Sequence, residues 1–295
     1  MQKWQADELP LTLLKAVCGS AARFLTGDAS IEAAGQQWIM EARRELLESF
    51  DEPSLVSLQA MHLIVLHYKS YRDFRKVLTL SSLCARYAFL LRLNYEDSNL
   101  TFLAQESRRR LMWSIWTMDT FLRGGISDFT LCRAPDIHIR LPCEQRSFDL
   151  DRASETELLN PPTGQLATSN IDLLAHYIRV IDIRDRILRY TKQMADPAAS
   201  AGGMAGQFAT FEAELEKVKA SMSEEMLFSR KNLSLRVYSQ DASLVSFALV
   251  HVWWHQCYCD LTRFLVSQFG ELINRHIILL HTAIFFHGWR CRPTT

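Results

Sequence analysis

The clearest pattern in the chain is a helical repeat of apolar residues between Glu106 and Phe121. One face of this repeat consists of Leu111, Ile115, Met118 and Leu122, widened by Met112, Trp113 and Trp116. The following pair, Gly124-Gly125, predicts the end of the helix because glycine readily leaves helical backbone geometry. Asp119 lies inside the apolar stripe, and an unpaired buried carboxylate is costly. We therefore predict a central helix whose Asp119 either finds a hydrogen-bond donor or faces a solvated groove.

Similar repeats predict further helices on both sides of the central one. They cover residues 11–24, 31–46, 55–66, 77–91, 171–194, 208–228 and 241–269. The first four form two pairs with short connections, which is typical of helical hairpins. The segment 241–269 is the most apolar and aromatic, so we expect it to be buried. The predicted fold is all-α: a multi-helix array of antiparallel helical hairpins around a central aromatic-rich helix pair.

Two polar stretches interrupt the helices without dividing the chain into separate domains. Residues 144–170 are acidic and contain prolines, and residues 196–207 contain Pro197 and Gly202-Gly203. We predict that both are mobile linkers within a single domain spanning residues 1–295. The end of the chain, residues 270–295, is apolar and atypical, and we expect it to reflect a truncation or an error in the gene structure.

Composition excludes some functional classes. The 33 lysines and arginines balance the 33 aspartates and glutamates, whereas a protein that grips DNA phosphates normally has a basic excess. The seven cysteines are scattered and include no C-x-x-C pair, which favours reduced thiols in an intracellular protein. The start of the chain lacks the apolar core of a signal peptide. The longest apolar runs, Phe247–Trp254 and Ile277–Phe286, are too short to cross a bilayer, so we expect no membrane contact.

Several clusters could carry chemistry, and each has a structural alternative. His251, His255 and Cys259 share one helical face and could bind zinc, or could simply belong to an aromatic core helix. Catalysis by Asp119 with Asp136 has no supporting motif, so we do not expect an enzyme. Three consecutive arginines, Arg108, Arg109 and Arg110, could bind phosphate or an acidic partner. Alternatively they form a solvated or ion-paired helix start with Glu106, because consecutive helical residues point about 100° apart.

The order of these segments resembles a known family. The stretch from Arg108 to Asp119 is similar to the R-R-x-x-W-W-x-x-x-x-D-R signature of the fungal-specific transcription factor domain, the middle homology region of fungal binuclear zinc-cluster regulators. Here Met112 replaces one tryptophan and Thr120 replaces the final arginine. Residues 137–142 with Phe148-Asp149 resemble the family's D-I-D-x-x-L-P-x-x-D segment, and residues 251–264 also look familial. The resemblance covers roughly residues 9–268.

The resemblance implies a nuclear, all-helical regulatory domain that controls DNA-templated transcription without enzymatic activity. Full-length members carry an N-terminal six-cysteine zinc cluster that reads DNA, and no segment of this chain has that spacing. We therefore expect no cofactor and no direct DNA contact by this chain, with zinc confined to that cluster. The expected partners are proteins of the transcription machinery, a homodimer partner or a small-molecule effector. The alternative is a stand-alone module that binds an effector or sequesters a partner.

If an effector binds, the best candidate site in the sequence is a groove between the central helix and the aromatic helix. Its predicted lining is Trp113, Trp116, Asp119, Trp254 and His255. Apolar walls with a few polar groups suit small-molecule binding. The same residues also suit ordinary core packing, and the sequence leaves both alternatives open.

Overall fold

The computed structural model describes residues 9–25, 29–161, 170–194, 204–239, 241 and 243–263. Its α-helices are α1 (Leu11–Ala22), α2 (Ala29–Glu48), α3 (Leu55–Ser70), α4 (Phe74–Leu90), α5 (Phe102–Arg123), α6 (Gln145–Asp149), α7 (Leu173–Met194), α8 (Met204–Ala220), α9 (Arg230–Tyr238) and α10 (Leu244–Thr262). Short 3₁₀ turns cover Ser127–Phe129 and Ala134–Asp136. No strand occurs in these ranges, which confirms the all-α class for the described part of the chain.

Backbone packing divides the chain into two compact units, residues 1–178 and 179–295. The sequence predicted a single domain over residues 1–295, whereas the structure contains these two units, each with its own packing. The boundary falls within α7, and it places α5 in the first unit and α10 in the second. The predicted arrangement of hairpins around a pair formed by these two aromatic helices therefore stays a prediction.

In the first unit, local sequence signals set the ends of the helices. Ser54 begins α3 by accepting a hydrogen bond from Ser57 N, while Ser57 Oγ accepts one from Ser54 N. Thr101 Oγ1 caps α5 in the same way, accepting from Ala104 N at 3.4 Å. Gly124 ends α5 in the left-handed conformation at φ 52°, as the sequence predicted. These caps fix where α3 and α5 begin and where α5 stops.

Helices α1 and α2 approach each other closely because two glycines face each other. A Cβ added at Gly19 would lie 2.7 Å from Ile39 Cγ1 and 2.8 Å from the Gly35 carbonyl oxygen. A Cβ added at Gly35 would overlap the Ala22 methyl group. The helices therefore pack backbone to backbone, and α1 also packs against α3. Neither glycine was singled out by the sequence analysis, since their role depends on the neighbouring helix.

We expect Gly35→Ala to lower the free energy of unfolding by about 1–3 kcal/mol, because the new methyl group has no room between α1 and α2. The control is Gly206→Ala in α8, where nothing lies within 4 Å of an added Cβ. That change is expected to be neutral or to stabilise the protein, since alanine favours helices more than glycine does. Urea unfolding followed by circular dichroism measures both. Equal effects of the two substitutions would contradict the close approach.

The polar segment predicted as a linker at residues 144–170 is partly ordered. It begins with helix α6, Thr156 and Leu159 are buried, and Leu141 N donates to the Glu157 carbonyl oxygen at 2.7 Å. Hydrogen bonds and burial thus hold parts of residues 144–161, and the mobility predicted for the segment stays a prediction. Residues 162–169 lie outside the described part.

Other parts of the chain differ in detail from the predicted elements. A 3₁₀ turn covers Ala134–Asp136. Beyond that turn, Ile137, Ile139 and Leu141 are buried in alternation, as in an extended chain. Most of the second linker, residues 196–203, lies outside the described residues, whereas residues 204–207 belong to α8. Helix α9 was not predicted, and the atypical end at 270–295 is also outside the description.

In the second unit, a buried ion pair joins α7 to α10. Arg184 Nε donates to Asp260 Oδ2 at 3.0 Å, and the Arg184 guanidinium lies 4.6 Å from the centre of the Trp253 ring. Gln256 Nε2 donates to the other carboxylate oxygen of Asp260 at 3.0 Å. Asp260 is 1% exposed, so its charge depends on these donors.

The described part of this unit contains no helix long and apolar enough to span a membrane, and the same is true of the first unit.

Candidate functional site

Three charged residues in the first turns of α5 form a cluster with Glu96, which lies in the turn before the helix. We call it the α5 ion-pair cluster: Glu96, Glu106, Arg109 and Arg110. Glu106 is fully buried, and its carboxylate accepts hydrogen bonds from Arg109 Nη1 at 3.2 Å and Arg110 Nε at 2.9 Å. Arg109 also binds Glu96 through two parallel hydrogen bonds of 2.8 Å each. Such a two-pronged guanidinium–carboxylate contact fixes both distance and orientation. Glu106 and Arg109 are therefore buried as charges that satisfy each other.

The α5 ion-pair cluster also binds the backbone of residues 140–143, which follow α5 in the chain. Cys143 N donates to Glu106 Oε1 at 3.0 Å, and Arg140 N donates to Glu96 Oε1 at 2.9 Å. In the opposite direction, Arg110 Nη2 donates to the Cys143 carbonyl oxygen at 3.0 Å. The carboxylates thus serve backbone amides as well as arginines. The cluster fastens residues 140–143 to the central helix.

Each of the three consecutive arginines has its own partners inside the first unit. Arg108 Nη2 donates to the Leu91 carbonyl oxygen at 2.8 Å, at the end of α4. Arg109 and Arg110 pair with Glu106, as the ion-paired alternative from the sequence proposed. The Arg110 guanidinium also lies 4.2 Å from the centre of the Phe148 ring. These contacts bind the guanidinium groups to the fold, in three different directions.

Asp119 has the donors that its position in the apolar stripe requires. It is 3% exposed, and Oδ2 accepts hydrogen bonds from Leu131 N at 3.2 Å and Cys132 N at 3.0 Å. Arg123 Nη1 lies 3.5 Å from the same oxygen and donates to the Cys132 carbonyl oxygen at 3.2 Å. The Asp119–Arg123 pair therefore anchors the loop that follows α5. Of the two roles predicted for Asp119, this geometry fits the hydrogen-bonded one.

The two tryptophans of α5 lie in the core of the first unit. Trp116 is 0% exposed and Trp113 is 2% exposed, with their ring centres 5.5 Å apart in an edge-to-face arrangement. Trp113 Nε1 donates to the Arg140 carbonyl oxygen at 2.8 Å. The Trp116 indole nitrogen is buried and finds no hydrogen-bond partner in the described part of the chain. These positions are those of packing residues.

The other two residues of the predicted groove belong to the second unit. Trp254 is half-buried and donates from Nε1 to the Leu215 carbonyl oxygen at 3.1 Å. His255 is exposed, and its ring meets the Trp254 ring edge to face, with centres 4.9 Å apart. The five predicted lining residues are thus divided between the units, and the groove stays a prediction.

The histidines and cysteine considered for zinc have separate surroundings. His251 Nε2 lies 2.8 Å from the Met226 carbonyl oxygen, and its ring packs against Phe247. Cys259 is exposed, as is His255. Within the described ranges, no three histidine, cysteine or acidic side chains are arranged to hold a metal ion.

A buried histidine makes the first unit sensitive to acid. Burial lowers the pKa of His62 in α3 from 6.5 to about 4, and its Nε2 lies 2.7 Å from Ser114 Oγ in α5. Between these two pH values the unfolded chain binds the extra proton, so the free energy of unfolding falls as the pH falls. We expect a loss of about 2 kcal/mol from His62 between pH 7 and pH 5, from roughly 1.4 kcal/mol per pH unit.

Urea unfolding at pH 7 and pH 5 measures this effect. The control variant, His62→Gln, keeps a polar group beside Ser114 but cannot take up the proton. Its free energy of unfolding is expected to fall by about 2 kcal/mol less over the same interval. An unchanged pH dependence in the variant would contradict the assignment to His62.

Next to the α5 ion-pair cluster, the first unit contains an open cleft of about 460 Å³, which we call the acidic cleft. It is lined by Glu96, Asp97, Ser98, Leu100, Phe102, Gln105, Arg109, Ala153, Ser154 and Glu155. Three of these residues are acidic and one is basic, so the lining has a formal charge of −2. Its volume is in the range of small-molecule sites. The cleft is a candidate binding site of the first unit.

Sequence reasoning missed this cleft because its residues come from two distant stretches of the chain, residues 96–109 and 153–155. Glu96 and Asp97 lie in the turn before α5, Gln105 and Arg109 lie on the helix, and residues 153–155 come from the predicted linker. The acidic composition of residues 144–170 was a usable signal, but it was interpreted as mobility.

Comparison with known proteins shows the family of the chain. The profile described as Fungal specific transcription factor domain matches residues 2–245. One relative, the Zn(2)-C6 fungal-type transcription factor FTF1c of Fusarium oxysporum f. sp. lycopersici, is 29% identical over 220 residues, covering 65% of this chain and 24% of the relative. The similar factor FTF1a of the same organism is 30% identical over 220 residues, covering 65% and 20%.

A relative from a second organism gives the same result. An uncharacterized transcriptional regulatory protein of Schizosaccharomyces pombe is 28% identical over 216 residues, covering 63% of this chain and 22% of the relative. This chain thus spans only about a quarter of the length of these curated relatives. No solved structure matches it significantly. The profile covers most of the chain, which therefore belongs to the fungal specific transcription factor domain family.

Proposed function

We propose that this chain is the regulatory domain of a fungal transcription regulator. It controls DNA-templated transcription in the nucleus through intramolecular, partner or small-molecule contacts, while a separate zinc cluster of such regulators contacts DNA. The observation that carries this proposal is the family match over residues 2–245, with relatives that are themselves transcription factors. Transcription factors of this kind are not enzymes, and the proposal includes no catalytic role.

Charge supports a role that does not involve gripping DNA. The chain has a formal net charge of zero, whereas phosphate binding needs clustered cations on one surface. The most concentrated basic stretch, Arg108 to Arg110, is bound to carbonyl and carboxylate oxygens of the first unit. Releasing these arginines to bind phosphate would leave the buried Glu106 carboxylate without its partners.

A reporter experiment in fungal cells tests the proposal. The chain is fused to an unrelated DNA-binding domain, and transcription from the matching promoter is compared with that from the DNA-binding domain alone. We expect the fusion to change reporter output several-fold in either direction. A destabilised variant, Glu106→Gln, should weaken the effect at equal protein level. The matched exposed variant Glu48→Gln should keep it.

Two outcomes would contradict parts of the proposal. Unchanged reporter output with the fusion would remove the regulatory role of the tethered domain. If the free, untethered chain then altered the output of a full-length regulator, the sequestering role would replace it. In addition, a salt-resistant shift of a promoter fragment by the purified chain would contradict the absence of DNA contact.

A further inference from the structure

The lining of the acidic cleft includes a residue with a buried hydrogen-bond donor for which the described residues provide no acceptor. Gln105 is 6% exposed and lines the cleft. Its Oε1 accepts a hydrogen bond from Asp97 N at 2.9 Å, which fixes the orientation of the amide and thereby the position of Nε2. Nε2 is buried and finds no partner within the described residues. A buried amide donor without an acceptor is costly, and an acceptor oxygen on a ligand would remove this cost.

The charges around this donor select the sign of a ligand. Asp97 and the exposed Glu155 both line the cleft, and Asp97 Oδ1 accepts hydrogen bonds from Asn99 N and Nδ2. Arg109 attracts an anion only weakly, because its positive charge is already paired with Glu96 and Glu106. The field in the cleft therefore attracts a cation and repels carboxylates and phosphates.

Part of the lining of the acidic cleft is apolar. Leu100 and Phe102, the latter at the start of α5, are half-buried and line the cleft. Apolar side chains that flank a few placed polar groups are the usual composition of small-molecule sites. The volume of about 460 Å³ leaves room for a ligand with an apolar group as large as a phenyl ring.

From these features, we propose that the acidic cleft binds a small organic amine that carries an uncharged oxygen acceptor and an apolar group. The ammonium group pairs with Asp97 and Glu155, the oxygen accepts the Gln105 Nε2 hydrogen bond, and the apolar group packs on Leu100 and Phe102. This proposal names the chemical class of the effector of the regulatory domain. Its biological role rests on the regulatory function proposed above.

Four matched probes separate the features of the ligand by isothermal titration calorimetry on the purified chain. Phenylalaninol has the amine, the hydroxyl oxygen and the phenyl group. Phenethylamine lacks the hydroxymethyl group with its oxygen, 3-phenylpropanol lacks the charged amine, and phenylalanine carries a carboxylate in place of the hydroxymethyl group. We expect saturable binding of phenylalaninol, about fivefold weaker binding of phenethylamine, and at least tenfold weaker binding of 3-phenylpropanol and phenylalanine.

Variants then assign the contacts. Asp97→Asn keeps the side-chain oxygen that accepts from Asn99, and it should weaken phenylalaninol binding about tenfold. Gln105→Met removes the donor, so phenylalaninol and phenethylamine should bind equally. If Gln105→Met fails to fold, the Asp97→Asn result decides. The control Glu52→Gln, at an exposed position away from the lining, should change nothing.

The proposal is overturned if none of the four probes binds saturably, if phenylalanine binds as well as phenylalaninol, or if Asp97→Asn leaves the affinity unchanged. The calorimetry measures binding alone, and the reporter fusion measures regulation alone. A failed titration with an active fusion removes the effector class only. A successful titration with an inactive fusion removes the regulatory role only.

Discussion

Trp116→Ala is expected to lower the free energy of unfolding by about 3–5 kcal/mol, the usual cost of removing a large buried aromatic side chain. Trp116 is 0% exposed and packs edge to face on Trp113 in the core of the first unit. The cavity left by an indole between packed helices cannot be filled by small shifts of its neighbours. The loss is measured by urea unfolding followed by circular dichroism at pH 7.

The matched control is Trp38→Ala in α2 of the same unit. Trp38 is 38% exposed, so its removal should cost clearly less. A second variant, Trp116→Phe, keeps most of the apolar volume and removes the unpartnered indole nitrogen, and it should be milder than Trp116→Ala. If Trp116→Ala folds normally and alters only a ligand response, Trp116 is a binding residue and the packing interpretation is wrong.

Glu106→Gln is expected to be nearly as damaging, with a loss of about 3 kcal/mol in the free energy of unfolding. The carboxylate is fully buried and compensates two guanidinium groups and the Cys143 amide. An amide of the same size has one acceptor oxygen and presents N–H groups to donors. Breaking a buried pair is costly because the remaining charge stays in a poorly solvated place.

The control for this prediction is Glu48→Gln. Glu48 forms an exposed ion pair with Arg44 at 3.9 Å, with about 70% of each side chain accessible. Exposed pairs contribute little, because water and salt already compensate their charges. We expect no measurable change in urea unfolding. Similar losses in Glu106→Gln and Glu48→Gln would show that the α5 ion-pair cluster does not hold the fold together.

The two predictions connect stability to the proposed regulation. The α5 ion-pair cluster forms one side of the acidic cleft, since Glu96 and Arg109 belong to both. A ligand in the cleft would bind the folded first unit and not the unfolded chain, so it should raise the free energy of unfolding. Such a coupling would let a small molecule control how firmly residues 140–143 are held on α5.

Local sequence patterns determined most of the helical elements. The apolar period, the Ser54 cap and the Gly124 stop act within a few residues of each other, so they can be interpreted without knowledge of the fold. The same reasoning recognised that Asp119 needed either a donor or a solvated groove, because the cost of burying a carboxylate is independent of its partner. The family resemblance on residues 108–119 agrees with the profile match over residues 2–245.

Tertiary structure alone decided which groups meet. Glu96 precedes Arg109 by 13 residues and Cys143 follows Glu106 by 37, so no helical period links them. The contact of Gly35 with Ala22 and the closure of the acidic cleft by residues 153–155 likewise depend on packing between distant segments. Sequence therefore determined the helices and the need for partners, because both are local. The partners and the cleft came only from tertiary structure, because burial and pairing depend on distances through space.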